Sequence, residues 1–406
     1  MRSIVFGLSG GILLFLTLGV KAQDNVQTIG TLPNVISESS GLLYFNEKLI
    51  THNDSGNEAK LYELDSLTLS IDRTVTITNA TNTDWEAITQ DEEYIYIGDF
   101  GNNLGLRRDL TIYRISKSDY LSSDTVMATI SSFSYEDQME FTDNGNSDWD
   151  AEAFFVLDDA LVILTKQWQS QGCVAYSIPK IPGSYVATRV GAVEDVGLVT
   201  DATYDPDTNR LVVMGYLNIL LPFIGIVENV DFDAVLDGFV KVPLALNFVQ
   251  AEGITQTSAT HYFFTSESYS RQNPTITSAP RLFSFQLAIP DATAPEEPEN
   301  PEAPENPESP EEPENPEIPI EPDNPDEIND QLLVVKDNST NAYHYRLTTQ
   351  QNIYGQIIFD ALGRPVWQKS GSIEKEGMLP DHLETAIYYL TLYLDNGVIA
   401  TPFAVY

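Results

Sequence analysis

The sequence predicts an all-β protein. It comprises a five-bladed β-propeller over residues 23–290, a disordered Pro/Glu-rich linker over 291–330 and a small antiparallel β-sandwich over 331–406. Three observations predict this. A short acid–small–apolar element recurs five times, at intervals of 48, 66, 49 and 51 residues. Each copy is followed, after a short turn, by a second β-rich run, and units of 40–50 residues built this way are the signature of a propeller. Proline then recurs every third residue from Pro295 to Pro325, which no packed domain tolerates.

Residues 1–22 form the first element. Arg2 precedes an apolar run from Ile4 to Val20, followed by Lys21-Ala22-Gln23. A basic start, a short apolar stretch and small residues at the break fit a secretory signal cleaved after Ala22. The alternative is an N-terminal anchor, for which the run is slightly short. No later segment approaches 18 uninterrupted apolar residues, so no transmembrane helix is expected in the mature chain. Cys173 is the single cysteine, so an exported chain has no internal disulfide. In its apolar run it reads as a buried core thiol.

The body follows. Its repeated elements are Ser37-Glu-Ser-Ser-Gly-Leu42, Asp84-Trp-Glu-Ala-Ile88, Asp150-Ala-Glu-Ala-Phe154, Thr200-Asp-Ala-Thr-Tyr204 and Gln250-Ala-Glu-Gly-Ile254. Second strands are expected at Lys48–His52, Tyr94–Gly98, Leu161–Thr165, Leu211–Gly215 and His261–Thr265, and third strands at Ala59–Leu64, Leu110–Arg114 and Arg281–Gln286. The last unit ends after its third strand, so Val26–Ile36 is expected to supply the missing outer strand and close the ring. The polar stretch Ser116–Asp148 reads as an insertion, and a sixth blade inside that long unit is the alternative count.

In the linker, polyproline II has three residues per turn, so the eleven prolines fall on one edge. At about 3.1 Å per residue it spans roughly 100 Å as a semi-rigid spacer. Beyond it, Val334-Val335, Tyr343–Leu347, Gln356–Phe359, Ile387–Leu394 and Ile399–Tyr406 read as strands, with hairpin signals at Asp360-Ala-Leu-Gly363 and Asp395-Asn-Gly397. Gly355-Gln-Ile-Ile-Phe-Asp-Ala-Leu-Gly-Arg-Pro-Val366 and Ala386-Ile-Tyr-Tyr-Leu-Thr-Leu392 resemble the strand–Asp-x-x-Gly-Arg/Lys hairpin and the Gly-x-Tyr strand of the C-terminal sorting domain of the type IX secretion system. Ala386 stands where that family has Gly, and Thr401-Pro-Phe-Ala-Val-Tyr406 lacks its usual basic residue. The resemblance implies a Bacteroidetes-like protein that engages the type IX machinery and is secreted or displayed on the outer cell surface.

Charge limits the partners. The chain carries 60 Asp+Glu against 21 Lys+Arg, a net charge of −39. Sixteen acids lie in the linker, and residues 24–290 keep a net −23. That field excludes nucleic acid and anionic lipid and favours cations and neutral ligands.

The chemistry is expected at the axis. In a propeller the first strand of each blade lines the central channel, so Glu38, Glu86, Glu152, Asp201 and Glu252 should converge there. Residues that follow the second strands, Asp54, Asp99, Lys166 and Glu267, should join them. Close carboxylates need either raised pKa values or a cation between them, and calcium, satisfied by six to eight oxygens, is the expected ion on the five acids. The other possibility is that the five acids cap strand turns by accepting backbone N–H groups. The motifs E-x-S-G-L, N-D-S-G, D-W-E-A-I, G-D-F-G-N-N and Q-A-E-G-I resemble exported bacterial propellers related to phytase-like or esterase-like domains, a likeness that implies fold more firmly than reaction.

No Gly-x-Ser-x-Gly elbow exists in the mature chain, and without a Cys pair or His cluster a zinc site is not expected. His52 beside Asp54 could act as a base, although a strand-end His is more often structural. Phosphoester hydrolysis would need Lys166, the Arg107-Arg108 pair or calcium at the phosphate. Glycoside hydrolysis needs two carboxylates, and five-bladed propellers with axial acids resemble several glycosidase families. Trp85, Trp149 and Trp168 could stack on sugar rings, or pack in the core. The expectation is an extracellular binding or scaffold protein with a calcium-occupied axial site; the alternative is a hydrolase of a glycan or phosphoester that uses axial carboxylates.

Overall fold

A computed structural model describes residues 25–143, 145–217, 220–246, 249–271, 276–288, 331–337, 342–349, 351–360, 365–394 and 397–405. The signal segment 1–22, the linker 291–330 and parts of both C-terminal hairpin turns lie outside them.

Five blades of antiparallel strands form the ring, and the outer strands of the second and third pair in parallel to make one eight-stranded sheet. Blade 1 is Ser39–Phe45, Lys48–Asn53, Lys60–Leu64 and Ile71–Ile77; blade 2 is Trp85–Gln90, Tyr94–Asp99, Thr111–Ser116 and Thr129–Tyr135. Blade 3 is Ala151–Leu157, Ala160–Thr165, Cys173–Pro179 and Ser184–Val193, and blade 4 is Leu198–Asp205, Arg210–Tyr216, Pro222–Glu228 and Val240–Pro243. Blade 5 takes Ala251–Gln256, His261–Ser266 and Arg281–Gln286 from the end of the body and Gln27–Thr31 from its start, paired antiparallel as Gln27↔Ser284 to Thr31↔Arg281. Each inner strand packs on the next, and the fifth on the first. The ring is therefore closed by the N-terminal strand, as the truncated last unit predicted.

There are five blades. The stretch Ser116–Asp148 is not an insertion and holds no sixth blade. Thr129–Tyr135 is the outer strand of blade 2, and Thr125-Val126 adds to the edge of blade 1. The pattern of this outer strand is muted because Ser and Thr occupy much of it, yet Ser131, Phe133 and Tyr135 alternate inward.

The sheets are held by apolar layers between successive blades. Leu43, Ile50, Val75, Ile88 and Ile97 fill the first gap, and Phe100, Phe133, Phe154 and Ile163 the second. Phe155, Leu164, Cys173 and Val213 fill the third, Met214, Ile224, Ile254 and Phe283 the fourth, and Leu42, Leu49, Tyr62 and Leu282 the closing one. Each side chain of this size contributes about 1.5–3 kcal/mol on full burial. Cys173 is buried as expected, and burial pushes its thiol up to about 12.

Every inner strand carries a register irregularity at the same depth: Ser39/Leu42, Trp85/Ala87, Ala151/Ala153, Val199/Asp201 and Ala251/Ile254. A bulge inserts an unpaired residue and re-aims its side chain. Just past it the inner strands come so close that Gly253 is required, since a Cβ there would lie 2.4 Å from the Ser40 carbonyl oxygen.

Gln331–Asp337, Ala342–Thr348 and Glu376–Met378 form one C-terminal sheet; Pro365–Ile373, Ile353–Asp360, Ala386–Leu394 and Gly397–Val405 form the other. Leu332, Tyr345, Leu347, Ile358, Leu390, Leu392 and Phe403 share one core, which makes this the expected antiparallel sandwich. Among the described residues no helix is long and apolar enough to cross a membrane.

Candidate functional site

The bulges decide which residues reach the axis. By strand pairing, the bulged residue is Glu86 in blade 2, Glu152 in blade 3 and Glu252 in blade 5, with Ser40 and Thr200 at the same level in blades 1 and 4. The two hydroxyls tie blades together: Ser40 Oγ donates to the Glu86 carbonyl oxygen at 2.6 Å, and Thr200 Oγ1 to that of Ala251 at 2.8 Å. The three glutamates instead project into a cavity of about 530 Å³ on one face of the ring.

A second ring lies two residues earlier, where the carbonyls of Glu38, Asp84, Asp150 and Gln250 accept from the backbone N–H groups of Asp54, Gly101, Lys166 and Glu267, just past the ends of the second strands. Asp54, Asp84, Lys166, Gln250 and Glu267 line the cavity, with Arg107, Trp168 and Tyr216 at its sides. Gly101 leaves room for this packing, because a Cβ there would stand 2.1 Å from Glu86 Oε1.

Of the nine expected site residues, the structure brings Glu86, Glu152, Glu252, Asp54, Lys166 and Glu267 together and leaves three aside. Glu38 is exposed and accepts from Asn57 Nδ2 at 2.7 Å. Asp201 falls one residue past its blade's bulge, is fully buried, and accepts the backbone N–H groups of Ala202 and Ile254 at 2.8 and 2.7 Å. This is the strand-capping role for an acid, and it joins blade 4 to blade 5. Asp99 lies behind the cavity wall, accepting from Asp84 N at 3.1 Å and pairing with Arg107 at 2.9 Å. A five-acid ring therefore does not form, because equivalence runs through the bulge rather than through each unit's nearest acid.

The expected site set left out Asp84, Asp150, Gln250, Tyr216 and Asn102, although the stretches ending in Asp84-Trp-Glu86 and Asp150 offered oxygen donors beside the axial acids. The signal was present in the two-column pattern Asp84-x-Glu86, Asp150-x-Glu152 and Gln250-x-Glu252, which matches Glu38-x-Ser40 in blade 1.

Lys166 organises the floor. It is 3% exposed and its Nζ lies 2.7 Å from Glu152 Oε1, with the Trp168 and Tyr216 rings 4.7 and 5.2 Å away. Burial alone would lower its pKa, but Glu152, Tyr216 and Glu252 outweigh that and hold the ammonium charged. Trp168 Nε1 donates to Asp150 Oδ2 at 2.8 Å, and Gln250 Nε2 bridges Glu252 and Glu267 at 3.0 and 2.8 Å. Trp85 and Trp149 pack with Tyr113 and Tyr135 in the interblade core. His52 is buried against Trp85, and burial lowers it to about 4, so it is a neutral packing group, the structural role favoured for a strand-end His.

The acids outnumber the cations, and their protons are correspondingly held. Burial first, then Asp54 and Asp150, pushes Asp84 up to about 7. Burial, opposed by Lys166, brings Glu252 to about 7. Glu86 is raised well above the carboxylate range by burial and by Glu152 and Asp54, and Glu267 by burial and Glu252. We place the negative charge of the Lys166 pair on Glu152, the acid it touches, and the retained protons on the others. Oxygens of Asp54, Asp84 and Glu86 lie within 4.8 Å of one another, as do those of Glu86, Asp150 and Glu152, so either trio could hold a metal ion.

No family model and no curated protein matches the chain. Among solved structures it is similar to a chain titled as a mitotic checkpoint complex, at 11% identity and TM-score 0.29, with 60% of each chain covered. It is also similar to a GH43_1 enzyme from Xanthomonas citri, at 10% identity and TM-score 0.38, covering 65% of this chain and 90% of that one. A compost-metagenome GH43 β-xylosidase/α-arabinofuranosidase, solved with xylotriose in a calcium-free form, gives 10%, 0.38, 66% and 94%. The chain spans 60% of the first of these.

Proposed function

We propose that the axial cavity hydrolyses a neutral glycan with its carboxyl groups. The observation that carries this is geometric: Glu86 and Glu152 project into one cavity from the same bulge position of adjacent blades, and Lys166 Nζ stands 2.7 Å from Glu152 Oε1. Carboxyl hydrolysis of a glycosidic bond needs one acid to protonate the leaving oxygen and one carboxylate to act on the other side of the reacting carbon. Glu86 supplies the proton and Glu152 the charge. The bond from the sugar carbon to the leaving oxygen breaks as that oxygen takes the Glu86 proton, and water adds its hydroxyl to the same carbon and returns a proton to the carboxyl pair. A neutral substrate is favoured because the lining cations Lys166 and Arg107 are already paired with Glu152 and Asp99, and the Trp168 and Tyr216 rings offer faces to a sugar.

The test is release of chromophore from a panel of neutral aryl pentosides and hexosides by the whole chain. Activity that falls by about 10²–10⁴ in Glu152→Gln supports the reading. No release from any of them, or an unaffected variant, overturns it.

A second reading has its own observation. The trio Asp54, Asp84 and Glu86 shares Glu86 with the acids beside Lys166 and offers hard oxygen donors suited to calcium. We propose it as a cation site that competes with hydrolysis, because a Glu86 bound to calcium is ionised and has no proton to deliver.

Delivery outside the cell is likewise a proposal, supported by the signal-like start and the sandwich over 331–405 with its own core. Deleting residues 331–406 should trap the protein in the periplasm; continued secretion would refute the sorting role and the type IX partnership.

A further inference from the structure

One loop on the cavity wall is built without a protein partner for what it presents. It runs from Asp99, the end of the second strand of blade 2, to Thr111, the start of the third. Asn102 is 2% exposed and lines the cavity. Its backbone N–H donates to Asp150 Oδ1 at 2.6 Å and its Oδ1 accepts from Arg107 N at 2.9 Å, which fixes the orientation of the amide. Its Nδ2 is buried with no hydrogen-bond partner. A buried, unmatched N–H₂ costs stability unless something fills it.

The same loop turns two apolar side chains outward. Leu104 and Leu106 line the cavity mouth while 46% and 42% exposed. This exposure is imposed by a pinned backbone. Gly105 N bonds Asn102 O at 2.8 Å with Gly105 at φ +72°, Gln138 Nε2 donates to Gly105 O at 3.0 Å, and Arg107 donates to Gly101 O at 2.9 Å. A loop this constrained cannot fold its leucines away.

Resting on the hydrolase reading, we propose that this loop selects the substrate: Asn102 Nδ2 donates to an oxygen of the bound sugar, and Leu104 and Leu106 grip an apolar substituent that the sugar carries. The substrate class is then a neutral glycoside with an apolar aglycone. A free polar oligosaccharide would leave both leucines wet.

The experiment is calorimetric binding of methyl and octyl glycosides of the same neutral pentoses and hexoses to the full chain, alongside the turnover panel. Wild type should bind the octyl member of at least one pair ten-fold or more tighter than the methyl member. Leu104→Ser/Leu106→Ser, at exposed positions that leave folding intact, should bring the pair within two-fold, and Asn102→Asp, which keeps the acceptor for Arg107 N–H but loses the donor, should weaken both members alike. That pattern without turnover supports the inference and sinks hydrolysis alone. Equal affinity for both members in wild type, or a preference that survives the leucine changes, overturns the inference and leaves hydrolysis standing if turnover is seen. No binding of any pair overturns both.

Discussion

Lys166 is the residue on which the cavity's electrostatics turn, since it is buried at 2.7 Å from Glu152 among Asp150, Glu252 and Tyr216. Removing one partner of a buried pair leaves the other uncompensated, at a cost of about 3–5 kcal/mol. Lys166→Met should therefore lose about that much in denaturant unfolding at pH 7.5, and less near pH 5, where Glu152 can take up a proton. A loss under about 1 kcal/mol at both pH values would contradict the assignment of charge. Lys166 was legible as a strand-end cation, and Glu86, Glu152 and Glu252 as repeat acids. Asp201 and Glu38 were misplaced because an acid beside a small residue looks alike one or two positions either side of a bulge, whereas a shift of one residue turns a side chain to the opposite face.

Elements were read more securely than residues. Every second strand expected from β-branched and aromatic runs is present within two residues, because those runs are buried on both faces between blades. Closure by Gln27–Thr31 followed from a unit that ended one strand short. What composition concealed was Thr129–Tyr135, an outer strand with half its surface wet, and the C-terminal Pro365–Ile373, whose apolar content is low. The bulges were invisible too. They arise where five inner strands converge and the backbone must step aside, a demand of the assembled ring that no single blade's sequence carries.

At the scale of the whole molecule, the net charge of −39 becomes a statement about pH. Asp84 and Glu252, at about 7 in the fold against the ordinary carboxylate range near 4, hold more protons folded than unfolded, so the stability they confer is complete below about 4 and is lost as pH rises through 7. His52, at about 4 against 6.5, acts oppositely, and its contribution is present above 6.5 and lost as pH falls through 4. The raised acids, joined by Glu86 and Glu267, outnumber the one histidine. In chelator, Tm should accordingly fall between pH 5.5 and 8, and millimolar calcium should reverse much of the fall if Asp54, Asp84 and Glu86 hold the ion. A Tm that rises over that range would contradict the proton assignment, and one indifferent to calcium would remove the cation reading.

The central claim is that Glu86 delivers the proton that frees a sugar from its leaving group. The most direct measurement compares wild type and Glu86→Gln on two glycosides of one sugar, a dinitrophenyl glycoside whose leaving group needs no proton and an alkyl glycoside whose leaving group does. The account predicts that the variant loses about 10²–10⁴ in kcat/KM on the alkyl glycoside and far less on the dinitrophenyl one. Equal losses on both, or none on either, would contradict it.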